Sequence, residues 1–139
     1  MANDLVRVME PGKDITGQAT AAITGKRFLK ISGARNHKFN VLGTTPADNN
    51  YKVAHASVAG ARVVGVSKYD QPNIGGKVGV ARGGIMGVTC AAAITAGTEV
   101  MSDATGQAVA FTGAAGTFAA GLAMDDAQTG TDVEILFYA

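Results

Sequence analysis

From Asp132 to Tyr138 the chain alternates strictly: Val133, Ile135 and Phe137 fall on one face, Asp132, Glu134, Leu136 and Tyr138 on the other. This is the two-residue period of a pleated strand. Before it, apolar runs at 99–101, 107–112 and 118–124 are separated by Asp-Ala-Thr-Gly, Thr-Gly-Ala-Ala-Gly and Asp-Ala-Gln-Thr-Gly, the punctuation of a β-meander. Further strands are predicted at Arg27–Ile31, Tyr51–Ala56, Val63–Val66, Lys77–Arg82 and Ile85–Cys90. No long segment places apolar residues at helical spacing, and Gly97, Gly116 and Gly121 interrupt the alanine-rich stretches. The pattern predicts an all-β chain of about ten short strands with turns at intervals of roughly 8 to 12 residues.

Two stretches stand outside this rhythm. Residues 1–14 hold an apolar cluster, Leu5, Val6, Val8 and Met9, followed by Pro11-Gly12, and read as an extended N-terminal arm with backbone groups free to pair with a neighbouring chain. Residues 32–50, rich in Gly, Asn and Asp, form a long loop carrying Arg35, Asn36, His37, Lys38 and Phe39. Loops of that length in small domains are usually functional. The rest, residues 15–139, reads as a single β domain with an insertion at 32–50.

The chain also contains a repeat. Ala21-Ala22-Ile23-Thr24 recurs as Ala92-Ala93-Ile94-Thr95 at an offset of 71 positions. Val53-Ala54 matches Val109-Ala110 and Gly65 matches Gly121 at an offset of 56; Asp70 matches Asp125 and Val78 matches Val133 at 55. The first copy thus carries about 15 extra residues, which are the 32–50 insertion. An insertion on a duplicated scaffold is where a specific contact is expected.

Composition narrows the function. Only 17% of the 139 residues are charged, against about 25% in a typical soluble domain, and the formal net charge is +1. No overall field draws the protein to nucleic acid or an anionic membrane. The one locally basic run, Lys26 to Lys38, reads as a solvated or subunit-facing loop. No apolar run has the length of a membrane span, and residues 1–12 lack a signal-peptide core. Soluble, cytosolic synthesis is expected.

The chemistry-bearing residues form no recognised constellation. Gly25-Lys26 lacks the spacing of a phosphate-binding loop, and the glycines from Gly75 to Gly84 lack a dinucleotide fingerprint. His37 and His55 have no ligand-spaced carboxylate or cysteine; His55 is expected to face solvent. Cys90, the single cysteine, reads as a buried small residue, and Asp125-Asp126 as a turn initiator rather than a calcium loop. Ser57, Ser67 and Ser102 lack a nucleophile-elbow setting. Neither an enzyme nor a cofactor or metal site is expected.

Several motifs carry a resemblance. Glu10-Pro11-Gly12-Lys13-Asp14-Ile15-Thr16, Thr24-Gly25-Lys26-Arg27-Phe28, Ile31-Ser32-Gly33 and Tyr51-Lys52-Val53-Ala54-His55-Ala56 resemble tailed-bacteriophage head decoration proteins, particularly those of phages infecting actinobacteria. The C-terminal pattern, Gly-Thr-x-Val, Ala-Val-Ala, Ala-x-Gly-x-Ala and a final x-Val-x-Ile-x-Phe strand, is similar to the β-tulip body of lambda-type decoration proteins. The resemblance covers nearly the whole chain, although the 32–50 insertion departs from the compact lambda-type body. It implies a β-barrel or β-tulip domain and a cement protein on the exterior of the phage head, a homotrimer binding the major capsid protein, with no nucleic-acid or membrane partner. Candidate contacts are then Leu5, Val6, Val8, Met9 and Pro11 of the arm and Arg35, Asn36, His37, Lys38 and Phe39 of the insertion. The alternatives are another virion part, such as a tail or fibre module, and a stand-alone carbohydrate- or ligand-binding β domain. The absence of Trp argues against the last.

Overall fold

The computed structural model describes residues 14–34 and 50–138, and over these the chain is all-β. Ten strands follow in order: β1 (Asp14–Ala19), β2 (Phe28–Gly33), β3 (Tyr51–His55), β4 (Gly65–Ser67), β5 (Lys77–Ala81), β6 (Ile85–Thr89), β7 (Glu99–Ser102), β8 (Ala108–Ala110), β9 (Gly121–Ala123) and β10 (Asp132–Phe137). The first five close into a barrel in the order β1-β3-β2-β4-β5, and the second five form a sheet in the order β6-β10-β9-β7-β8. The final strand is as its alternation predicts, with Val133, Ile135 and Phe137 buried and their neighbours exposed. The meander is not: β7–β8 and β9–β10 are hairpin neighbours, but β9 pairs with β7 instead of β8. A two-residue period fixes which face a side chain takes and leaves the partner strand open.

The two halves are copies of one unit. Leu29↔His55 in the first corresponds to Val100↔Ala110 in the second, Phe28↔Val66 to Glu99↔Leu122, and Asp14↔Ala81 to Ile85↔Leu136. The parallel pair Ala19↔Val53 reappears as the bridge Cys90↔Ala108. Even the polar braces recur: the Gly25 N–H donates to Asp70 Oδ1 at 2.7 Å, and the Ala96 N–H to Asp126 Oδ1 at 2.7 Å. Asp70 therefore corresponds to Asp126, one position beyond the match made on residue type. Asp125 instead accepts the Glu134 N–H at 2.9 Å. Likewise Val53 corresponds to Ala108, not Val109, and the insertion between β2 and β3 is about 16 residues. Val109 is half-buried and outward where Ala108 is fully buried, a distinction that residue type cannot make.

Equivalent positions fill the two interiors. Ala19, Leu29, Val53, Val78 and Val80 pack the barrel of the first half, and Cys90, Val100, Ala108, Val133 and Ile135 occupy the same places in the second half. Cys90 is fully buried as expected, and desolvation raises its thiol pKa.

The halves differ at one seam. β1 and β3 pair over three residues, whereas β6 and β8 meet at a single bridge. Into that opening runs the segment Lys26–Phe28: the Thr89 N–H donates to the Lys26 carbonyl at 3.0 Å, and the Phe28 N–H donates to the Gly106 carbonyl at 2.7 Å. Phe28 and Val66, from the first half, belong to the core cluster of the second. An exposed ion pair, Lys26 Nζ to Asp132 at 2.6 Å, lies beside the junction. The Lys26 ammonium, with a Thr89 hydroxyl bond in support, holds the Asp132 carboxyl below its ordinary pKa. Within the basic run, the strand predicted at Arg27–Ile31 is β2, Phe28–Gly33, and the residues before it form the junction.

His55 departs from its expected solvent-facing position. It is half-buried, and its Nε2 accepts the Thr24 N–H at 2.9 Å, which requires an unprotonated Nε2. Desolvation, with a smaller contribution from the Arg27 charge, depresses its pKa against the opposing pull of the Thr24 carbonyl. A histidine with a depressed folded pKa contributes stability that is complete above its unfolded value, near 6.5, and is lost as pH falls through the folded value. Thermal melts between pH 7 and 5 are expected to show a falling midpoint in the native protein and a flatter profile in His55→Gln; an unchanged slope contradicts the assignment.

Candidate docking surface

The predicted contact residues Leu5, Val6, Val8, Met9, Pro11, Arg35, Asn36, His37, Lys38 and Phe39 lie outside the described residues. Two other surfaces are built by the scaffold. The first is the outward face of the second sheet. Ile85, Leu136 and Leu122 are cross-strand neighbours in one row, with Met124 and Tyr138 just beyond the ends of β9 and β10. Ile85 is 57% exposed and Leu136 40%. The matching row of the first half, Asp14, Ala81, Val66 and Phe28, buries Val66 and Phe28 in the junction. One apolar face is therefore used inside the chain, and its counterpart faces solvent.

The second surface is a trench of about 510 Å³ lined by Lys30, Ile31, Arg62, Val63, Val64 and Arg82. Lys30 and Ile31 come from β2, Arg62 to Val64 from the approach to β4, and Arg82 from the end of β5. Each cation is steadied by a neutral group: Lys30 Nζ donates to Ser57 Oγ at 2.5 Å, Arg82 Nε donates to the Val64 carbonyl at 3.2 Å, and the Arg62 guanidinium lies 3.8 Å from the centre of the Phe118 ring. Beyond Arg62 and Val63 the trench adjoins a smaller one of about 250 Å³ that includes Phe118 and Tyr138. Burial raises the Tyr138 phenol pKa, and the adjacent Glu99 carboxylate adds to the effect. Among the described residues, no group of three or more His, Cys, Asp and Glu is placed to hold a metal ion.

Of the trench cations, Lys30 belongs to the basic run from Lys26 to Lys38, whereas Arg62 and Arg82 each lie alone beside apolar residues, where residue pattern gives them no distinction.

No family model and no curated protein matches the chain. Among solved structures, it is similar to the N base of the head fiber gp8.5 of bacteriophage phi29, with a TM-score of 0.67 and 20% identity, over 90% of this chain and 92% of that one. The two share a fold.

Proposed function

We propose that this chain is a structural protein of a bacteriophage head, which binds the outer surface of the shell and holds neighbouring major capsid subunits together. The observation that carries this reading is the shared fold with a phage head-fiber base across nearly all of both chains. The sequence motifs, read independently, resemble head decoration proteins. The role is structural and calls for no catalytic step or cofactor. Many copies on one shell give avidity, so individually weak contacts suffice.

In the finer form of the reading the chain acts as a homotrimer of the lambda-type, β-tulip class, and the major capsid protein is its partner. The outward row of exposed Ile85 and Leu136 with half-buried Leu122 supports an interface, since such apolar faces mark contacts between proteins. A second reading, a fibre-base module anchored to the head, is favoured by the name of the structural neighbour.

Heating empty expanded heads with and without the purified protein separates the two. A cement protein raises the temperature at which the heads disrupt, whereas a fibre base binds and leaves that temperature unchanged. Light scattering after size exclusion is expected to give a trimer mass; a monomer at all concentrations contradicts the trimer.

A further inference from the structure

We infer that the trench between Lys30, Arg62 and Arg82 is a binding site for an extended acidic segment of a partner protein. That the segment belongs to the capsid shell rests on the reading above; the chemistry of the site does not.

The duplication shows that the scaffold does not require these cations. Lys30 corresponds to Met101, Arg62 to Phe118 and Arg82 to Phe137, by the same register that pairs the two halves. In the second half Met101 and Phe137 are each only 6% exposed, while Phe118 is 38% exposed on the edge of the smaller trench, and the corresponding place is lined by apolar side chains. One fold thus carries two solutions at one position. The second half makes it apolar; the first lines it with three positive charges.

Among the described residues no acidic side chain neutralises those charges. Among the described residues every aspartate is engaged elsewhere: Asp14 with Lys68, Asp132 with Lys26 and Thr89, Asp103 with the N–H groups of Thr105 and Gln107, and Asp70, Asp125 and Asp126 with the N–H groups of Gly25, Glu134 and Ala96. No described carboxylate comes within ion-pair distance of Lys30, Arg62 or Arg82. Two guanidinium groups over a floor of Ile31, Val63 and Val64 suit a ligand that alternates carboxylates with aliphatic side chains. An extended strand presents that alternation. The Phe118–Tyr138 end offers a further apolar shelf, and the Glu99 carboxylate beside Tyr138 disfavours a continuous polyanion there. A peptide is therefore favoured over nucleic acid.

The test uses the intact protein and a fluorescent peptide alternating Asp or Glu with Leu or Val, read by anisotropy. Its amide counterpart, with Asn and Gln, and a single-stranded oligonucleotide serve as comparison probes. Saturable binding of the acidic peptide is expected, weakened at least tenfold in the amide form, as the loss of charge-assisted hydrogen bonds requires. The triple variant Lys30→Met, Arg62→Phe and Arg82→Phe adopts the chain's own second solution and should keep its thermal midpoint while losing the peptide at least tenfold. Equal binding by native and triple variant, or preference for the oligonucleotide, overturns the inference. Assayed on empty heads, a triple variant that binds like the native protein removes the trench from the capsid contact and leaves the decoration reading standing. A native protein that binds the peptide but no head retains the site and rejects its capsid partner.

Discussion

Phe28→Ala is expected to cost about 3–5 kcal/mol, the range for deleting a fully buried aromatic side chain, and to lower the melting temperature by roughly 10–20 °C. Phe28 is 0% exposed and belongs by sequence to the first half, yet it packs in the core cluster with Val88, Val100, Val133 and Ile135 of the second. Its removal leaves a void at the seam where β6 and β8 meet only at Cys90↔Ala108. Because that core is shared, both halves should unfold in one transition in the native protein. Urea titration followed by circular dichroism and tyrosine fluorescence checks this. Ile74→Ala, at a site 76% exposed, should stay within about 0.5 kcal/mol. A Phe28→Ala protein as stable as the native one would remove the junction from the energetic account.

The second large effect is a paired one. A Cβ built on Gly17 would lie 2.6 Å from Val53 Cγ2 and 3.2 Å from Val80 Cγ2, inside the packed interior of the first barrel. The second half holds Val88 where the first has Gly17, and Ala108 where the first has Val53. Volume has moved across the barrel from one residue to the other. Gly17→Val alone is therefore expected to destabilise by about 1–3 kcal/mol through overpacking, and Val53→Ala alone by about 2 kcal/mol through the cavity it leaves. The double variant should recover to within about 1.5 kcal/mol of the native protein, as volume-conserving exchanges do. A double-mutant cycle by chemical denaturation measures the coupling. Simple additivity of the two losses would contradict the compensation.

These two cases also show what the sequence made legible. The strict alternation of Val133, Ile135 and Phe137 gives the last strand and its buried face directly. The repeat is visible in Ala21–Thr24 and Ala92–Thr95, because those residues hold the equivalent bridges Ile23↔Gln71 and Ile94↔Ala127. Its register through β8 is off by one, since Ala108 and Val109 are both apolar and only burial separates them. Strand order is not legible at all: a pleated segment shows its faces and not its neighbours, so the parallel β1–β3 pair and the Phe28 junction emerge only in three dimensions. His55 in a strand pattern gives no hint of the Thr24 amide that it accepts. The trench is a further case. Lys30, Arg62 and Arg82 are far apart in sequence, and their significance comes from comparison with Met101, Phe118 and Phe137 once the register is right.

A duplicated five-stranded unit with an apolar and a charged version of the same position has a simple functional logic. The second half supplies apolar surface, outward through Ile85, Leu122 and Leu136 and inward as the seat of Phe28. The first half supplies directional charge. On a capsid, the apolar face would bring subunits together and the trench would fix their orientation on the shell.

Cryo-electron microscopy of empty expanded heads incubated with micromolar protein tests the decoration role most directly. The account predicts regular density of this fold on the outer surface, at repeated lattice positions, with the Lys30–Arg82 trench against the shell. Bare heads at saturating protein would contradict it.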